Sequence, residues 1–311
     1  MVASESPHRP RHGRMHLLML VVTFCWSSNI IAGKEALKSI GPVALAQLRV
    51  LLAASVYATW FLASGRSRRL RRSPRVWLFV VVAAFTGITL NQLAFIGGMS
   101  LISVAHTGLI TALGPIMVLV IAVVIRLEAL TIWKFAGMLV AFAGVGVLTA
   151  DKAGRGSGHW TGDIIMLAGT AVFAVYTIMM KEVADQFDAL TLNTLVYGMA
   201  AVMMLPVGIR PLTRVHWAQI SRVSWAGLAF LVIFGSVMSY MLFAYVLTEL
   251  SAARVAAFNY LQPVFASTLG IWVLCEPLTS KVLIGGVMIL AGLYLTERER
   301  GEDTVRAESC P

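Results

Sequence analysis

The chain has 311 residues, of which 58% are hydrophobic and only 13% charged, and a mean hydropathy of +0.80 puts it outside the range of soluble globular domains. Its net charge of +10 would point to nucleic acid in a soluble protein. Here Arg66, Arg68, Arg69, Arg71, Arg72 and Arg75 cluster between two apolar spans, where such runs set membrane topology rather than bind nucleic acid or a particular lipid. The three cysteines, Cys25, Cys275 and Cys310, form neither a disulfide framework nor a metal-ligand spacing.

A spanning helix needs roughly 20 mostly apolar residues. Apolar runs between polar punctuation predict helices near 15–33, 44–63, 76–98, 103–126, 131–149, 162–181, 190–208, 225–248, 252–274 and 280–296. The first run follows a basic leader and could be read as a signal peptide, but it has a partner in the second half of the chain and is kept as a span. With alternating connections, sixteen of the 25 Lys and Arg residues fall on one side and eight on the other, Arg49 lying within a span. The positive-inside rule then places both termini in the cytoplasm of a bacterial inner-membrane protein. The expected division is a tail 1–14, a five-helix repeat 15–150, a linker 151–161, a second repeat 162–296 and a tail 297–311.

The repeat is read from the residues themselves. Displaced by 147 positions, Met19 falls on Met166, Thr23 on Thr170, Trp26 on Phe173, Lys34 on Lys181 and Glu35 on Glu182. Displaced by 148, Phe95 falls on Phe243, Ser103 on Ser251, Pro115 on Pro263, Glu128 on Glu276, Gly137 on Gly285 and Gly144 on Gly292. Five helices is an odd number, so the second copy enters the membrane from the opposite side. Inverted repeats of this kind let the halves exchange conformations, which is the symmetry behind alternating access.

Ser103 and Ser251 are placed to cap the fourth and ninth helices. About 12 residues further, near mid-membrane, Pro115 and Pro263 are expected to kink them and to free the carbonyls of Thr111 and Asn259. Such breaks are tolerated where they line a cavity or where neighbours satisfy them, and the symmetric placement favours a cavity. Glu128 and Glu276, each followed by Leu-Thr, read as structural junctions, and Gly137/Gly144 and Gly285/Gly292 as faces for close helix packing.

Polar side chains inside spans tend to face the bundle interior. They are Asn29, Asn91, Gln92, Tyr176, Asn193, Ser239, Tyr240 and Gln262, with Trp26, Phe173, Tyr197, Phe243, Phe258 and Tyr260 adding an aromatic lining. Each alone is more often packing than contact. The substrate-binding set expected from them is Trp26, Asn29, Asn91, Thr111, Tyr176, Ser239, Tyr240, Asn259 and Gln262. Arg49, about five residues inside the second span, reads as a side chain snorkelling to the outer surface, with a substrate clamp the lesser reading. His106 is either a proton carrier or a first-turn cap.

All 15 Asp and Glu residues fall in tails, loops or helix ends. Without a mid-span carboxylate of the kind that often couples transport to protons or sodium, facilitated diffusion or exchange is favoured, or coupling through something other than an intramembrane acid. No G-x-x-x-x-G-K-[ST] loop occurs, so no ATPase partner is implied, and no metal, cofactor or hydrolytic motif is read. An enzyme is therefore not expected, and a membrane scaffold would not explain symmetric polar breaks.

The duplicated pattern Ser103, Pro115, Glu128-x-Leu-Thr, Gly137, Gly144 and Ser251, Pro263, Glu276-x-Leu-Thr, Gly285, Gly292 resembles the EamA-like ten-helix branch of the drug/metabolite transporter superfamily over nearly the whole chain. Trp26 and Asn29 ahead of Lys34 also look like that branch. The resemblance implies an all-α bundle of two inverted five-helix repeats around a central cavity, taking a small-molecule substrate. Bacterial members commonly export amino acids and related metabolites, and the chain is most similar to the aromatic amino acid exporters.

Overall fold

A computed structural model describes residues 10–65, 72–102, 104–127, 129–153, 160–265, 268–269 and 280–298. The expected caps and junctions at Ser103, Glu128 and Glu276 lie outside them, as does the span from 270 to 274. Every regular element is helical among the described residues. We number α1 Pro10–Leu37, α2 Pro42–Ala63, α3 Pro74–Leu101, α4 Val104–Thr111 and Gly114–Val124, and α5 Ile132–Ala153. The second half holds α6 Trp160–Val183, α7 Ala189–Thr213, α8 Arg222–Glu249, α9 from Ala252, and α10 Ser280–Arg298.

Six of these helices, α1, α2, α3, α6, α7 and α8, are long and apolar enough to cross a bilayer, and Gly114–Val124, Ile132–Val147 and Leu283–Thr296 are shorter apolar helices. Local chemistry starts the helices where the chain must turn. Ser73 caps α3 through the Val76 amide at 3.4 Å, and Ser221, its counterpart 148 residues on, caps α8 through Ser224 at 3.0 Å. Ser251 caps α9 through the Arg254 amide, as its sequence position predicts. Pro42 stands in the first turn of α2, where its missing N–H costs nothing.

The helices pair across a pseudo-twofold axis. Between α5 and α10 the backbones meet at glycines: a methyl on Gly137 would lie 2.6 Å from the Gly292 carbonyl, and one on Gly144 2.8 Å from that of Gly285. Any side chain there would push the helices apart, so small residues set this contact. Lys34 at the end of α1 donates to the carbonyls of Met99 and Ile102, and its counterpart Lys181 at the end of α6 to that of Leu247 at 2.7 Å. Each lysine thus covers the last carbonyls of α3 or α8, which have no partner within their own helix. At one end of the bundle Arg72 donates to Gln186 O at 3.0 Å. Ser224 Oγ bonds Glu35 O at 2.9 Å, joining the starts and ends of α8 and α1.

Two departures from regular helix were not read from the sequence. Ala84–Leu90 in α3 and Ile233–Met238 in α8 are π-helical, and both occupy the same place in their repeats. A π turn shifts the i→i−4 ladder by one residue and leaves carbonyls for other donors. The expected kinks at Pro115 and Pro263 are also different in kind. The first half of α4 stops at Thr111, Ala112 and Leu113 form a turn, and Pro115 lies in the first turn of a new helix. In α9 a 3-10 turn, Phe258–Leu261, precedes Pro263. Proline here restarts a helix, the position it fits best, rather than bending a continuous one.

Candidate functional site

A cavity lies between the two breaks, the mid-sections of α1, α2 and α6, and the turns of α3 and α8 that follow the π segments. It is lined by Trp26 and Asn29 of α1, Arg49 of α2, Asn91, Gln92 and Phe95 of α3, and Thr111 and Gly114 of α4. The second half contributes Met166, Gly169, Thr170 and Phe173 of α6, Tyr240 of α8, and Asn259 and Gln262 of α9. About 80 Å³ is open to the centre of a water molecule. At roughly 10–15 Å³ per water centre this holds about six waters, some 180 Å³ of liquid, which is the bulk of a small organic solute.

The lining straddles the pseudo-twofold. Trp26 and its counterpart Phe173 touch edge to face with ring centroids 5.6 Å apart. Gln92 donates to the hydroxyl of its counterpart, Tyr240, at 3.3 Å. Thr111 and Asn259 are likewise counterparts, one at each break. The aromatic wall continues through Tyr240, its ring centroid 5.7 Å from that of Trp26, and is backed by the buried Phe243, 5.4 Å from Trp26, giving apolar surface with specific geometry for a side chain to pack against.

Three buried amide oxygens on this wall, Asn29 Oδ1, Gln92 Oε1 and Asn259 Oδ1, have no hydrogen-bond donor within the protein. Leaving a buried acceptor unmade costs about 1–3 kcal/mol, and these three oxygens belong to side chains that line one cavity, so a modest turn of each amide would bring an unbonded acceptor to a solute held there. The freed carbonyls contribute less than the sequence predicts. Asn259 O accepts the Gln262 N–H in the 3-10 turn, and Gln262 O accepts from Ser27 Oγ at 3.1 Å. At the other break the bonds run from Ala112 to Gly108 and from Leu113 to Ile110, bypassing Thr111, while its hydroxyl turns back onto Thr107 O at 2.8 Å.

Of the nine residues expected to bind substrate, Trp26, Asn29, Asn91, Thr111, Tyr240, Asn259 and Gln262 lie on the cavity. Asn91 spends its amide on Gly169 O, at 3.0 Å. Tyr176 and Ser239 are elsewhere. The Tyr176 ring is fully buried, stacked on Phe243 at 6.0 Å and pressed into the space beside Gly87 of the α3 π segment. Its counterpart Asn29 occupies the same niche beside Gly235 of the α8 π segment; the smaller amide leaves room for a cavity where the larger ring fills it. Ser239 is fully buried and bonds back to Phe234 O within α8.

Arg49 corrects the surface reading. It is 2% exposed, and its guanidinium donates from Nε to Ser236 Oγ at 2.8 Å and from Nη2 to Gly235 O at 3.0 Å. The π turn explains why it stays inside: that turn frees the carbonyls Arg49 and its neighbour Tyr57 take up, with Tyr57 donating to Val237 O at 2.7 Å. A lone intramembrane arginine without an acidic partner in the sequence was the available signal. Among the described residues no Asp or Glu is buried.

A helical bundle with inverted halves and a cavity at broken helices, lined by both polar and aromatic side chains, is the architecture of a membrane transporter. The chain belongs to the EamA-like transporter family, which matches residues 13–150 and 160–298. It is 28% identical to an uncharacterized transporter of Archaeoglobus fulgidus, over 92% of this chain and 98% of that one. A probable terminal-alkyne amino-acid exporter of Streptantibioticus cattleyicolor is 25% identical over 91% of this chain and 92% of its own. A solved crystal structure shares the fold with a TM-score of 0.75, covering 91% of this chain and 96% of that one at 18% identity. The chain is thus a multi-pass membrane transporter of a small molecule, by family a carrier rather than an enzyme.

Proposed function

We propose that the chain is a secondary exporter of amino acids, aromatic or otherwise apolar, and of related small metabolites, working by alternating access in a bacterial inner membrane with both termini cytoplasmic. The observation that carries this reading is the cavity on the pseudo-twofold, lined by amide side chains whose oxygens have no partner and by an aromatic wall. An ammonium brings three N–H donors, which those oxygens suit, and the aromatic wall suits an apolar side chain. The likeness to a relative named as an amino-acid exporter supports the same class. The cavity's counterpart pairs, Trp26 with Phe173 and Gln92 with Tyr240, mean that rocking one half against the other alters both walls together.

The test is counterflow in proteoliposomes with a panel of radiolabelled amino acids, with and without a pH gradient. Leucine and phenylalanine are expected to exchange against unlabelled substrate, and the absence of buried acids among the described residues predicts that exchange needs no gradient. A panel in which no amino acid exchanges would remove the reading.

A further inference from the structure

Arg49 is the one charged side chain that is buried among the described residues, and it stands on the cavity wall. A guanidinium has five N–H donors and cannot shed its charge. Two hydrogen bonds hold it, one to Ser236 Oγ and one to Gly235 O, and neither partner is an anion. Burying an uncompensated charge at this depth is costly, so a retained arginine calls for a return.

The pseudo-symmetry shows that the fold itself does not supply that return. The position equivalent to Arg49 in the second repeat is Val196, and the equivalent of Tyr57 is Met204. Yet the α3 π segment beside them forms as the α8 segment does. A π turn at this place therefore needs no arginine. Arg49 also stands near one of the unbonded amides: Gly235, whose carbonyl it binds, is the glycine against which the Asn29 amide packs.

We propose that Arg49 is the anion-binding residue of the cavity and that the solute is held by a carboxylate at the guanidinium, with any ammonium directed to the amide oxygens of Asn29, Gln92 and Asn259. This rests on the exporter reading and sharpens it. The accepted class is amino acids and monocarboxylates with an apolar or aromatic side chain; amines, amino-acid amides and quaternary cations are rejected by like charge or by a guanidinium left without an anion. Arginine suits the role because its planar fork matches both oxygens of a carboxylate, which the point charge of lysine does not.

Four probes of one shape separate the groups: leucine, leucinamide, isovalerate and isoamylamine. Their dissociation constants are read from the ligand-dependent thermostability of the full-length protein in detergent. Leucine and isovalerate are expected to stabilise the wild type, and leucinamide and isoamylamine not to. Arg49→Gln should weaken both carboxylates roughly 10- to 100-fold, whereas Arg49→Lys should keep the preference for carboxylate over amine with reduced affinity.

Equal stabilisation by the amine or amide overturns the proposal, as does no stabilisation by either carboxylate, or an Arg49→Gln protein that binds isovalerate like the wild type; that last result would assign Arg49 to anchoring α8 alone. Should Arg49→Gln not fold, the wild-type panel and Arg49→Lys decide. Binding of isovalerate without counterflow of any amino acid would leave Arg49 standing and remove the exporter reading, so the two fail separately.

Discussion

The π segments of α3 and α8 sit at equivalent places in the two repeats, yet they are held by different chemistry. Carbonyls of the α8 segment are taken by Arg49 and Tyr57 of α2. The α3 segment is closed by its own threonines, Thr86 to Val82 O and Thr89 to Ala84 O, and Thr89 also touches Met203 of α7. The niche beside each segment differs too, filled by the Tyr176 ring on one side and by the Asn29 amide on the other. Backbone symmetry is kept while polarity is concentrated on one side, so that only the α8 segment is anchored by a charged side chain.

The largest expected effect that would break this comparison is at Gly87. A methyl there meets the Tyr176 ring, which is locked among Phe173, Tyr240 and Phe243, so Gly87→Ala should lose about 3 kcal/mol by overpacking, read as a lower unfolding temperature. Tyr57→Phe should follow at about 2 kcal/mol, because it strands the buried Val237 carbonyl. The equivalent Met204→Leu should cost less than about 1.5 kcal/mol. Similar losses from Tyr57→Phe and Met204→Leu would mean that the α8 segment does not depend on its polar anchor.

Gly235→Ala should behave unlike Gly87→Ala. The Asn29 amide borders the cavity and can turn into it, so the protein should stay folded while affinity for substrate falls about five- to tenfold through a displaced hydrogen bond. The smallest effect is at the lysine caps. Lys34→Met loses bonds to two carbonyls and Lys181→Met to one, so losses of about 1 and about 0.5 kcal/mol are expected. An inverted order would place the tighter seal at the other end of the bundle.

Much of the fold was legible in the sequence because a repeat writes each contact twice. Gly137 and Gly144 could be matched with Gly285 and Gly292 before their backbones were seen to meet, and Lys34 with Lys181 before their carbonyls were known. The π segments were not legible, since Ala84–Leu90 and Ile233–Met238 have the composition of any apolar helix and differ only in which carbonyl each amide takes. That hidden detail is also why Arg49 was misjudged. Its distance from the end of a span allowed it to reach the surface, while the acceptors that keep it inside exist only once Gly235 and Ser236 are in a π turn.

The cavity was legible in part. Polar residues at equivalent breaks, Thr111 and Asn259, pointed to the axis. Tyr176 carried the same signal as Asn29 but a ring too large to leave space. Proline was read as a kink, although its fixed geometry serves equally to begin a helix, and that choice depends on the turn at Ala112 and Leu113. The carbonyl of Asn259, expected to be free, was lost to the tighter 3-10 bonding that such a restart brings.

The central claim is that the cavity on the pseudo-twofold is where an exported amino acid sits. Its most direct test is leucine counterflow in proteoliposomes holding wild type or Asn259→Leu, a substitution that removes one unbonded oxygen from the wall without touching the lysine caps or the α5–α10 glycines. The account predicts leucine exchange by the wild type and its loss in a variant that remains folded. Exchange at the wild-type rate in Asn259→Leu would contradict it.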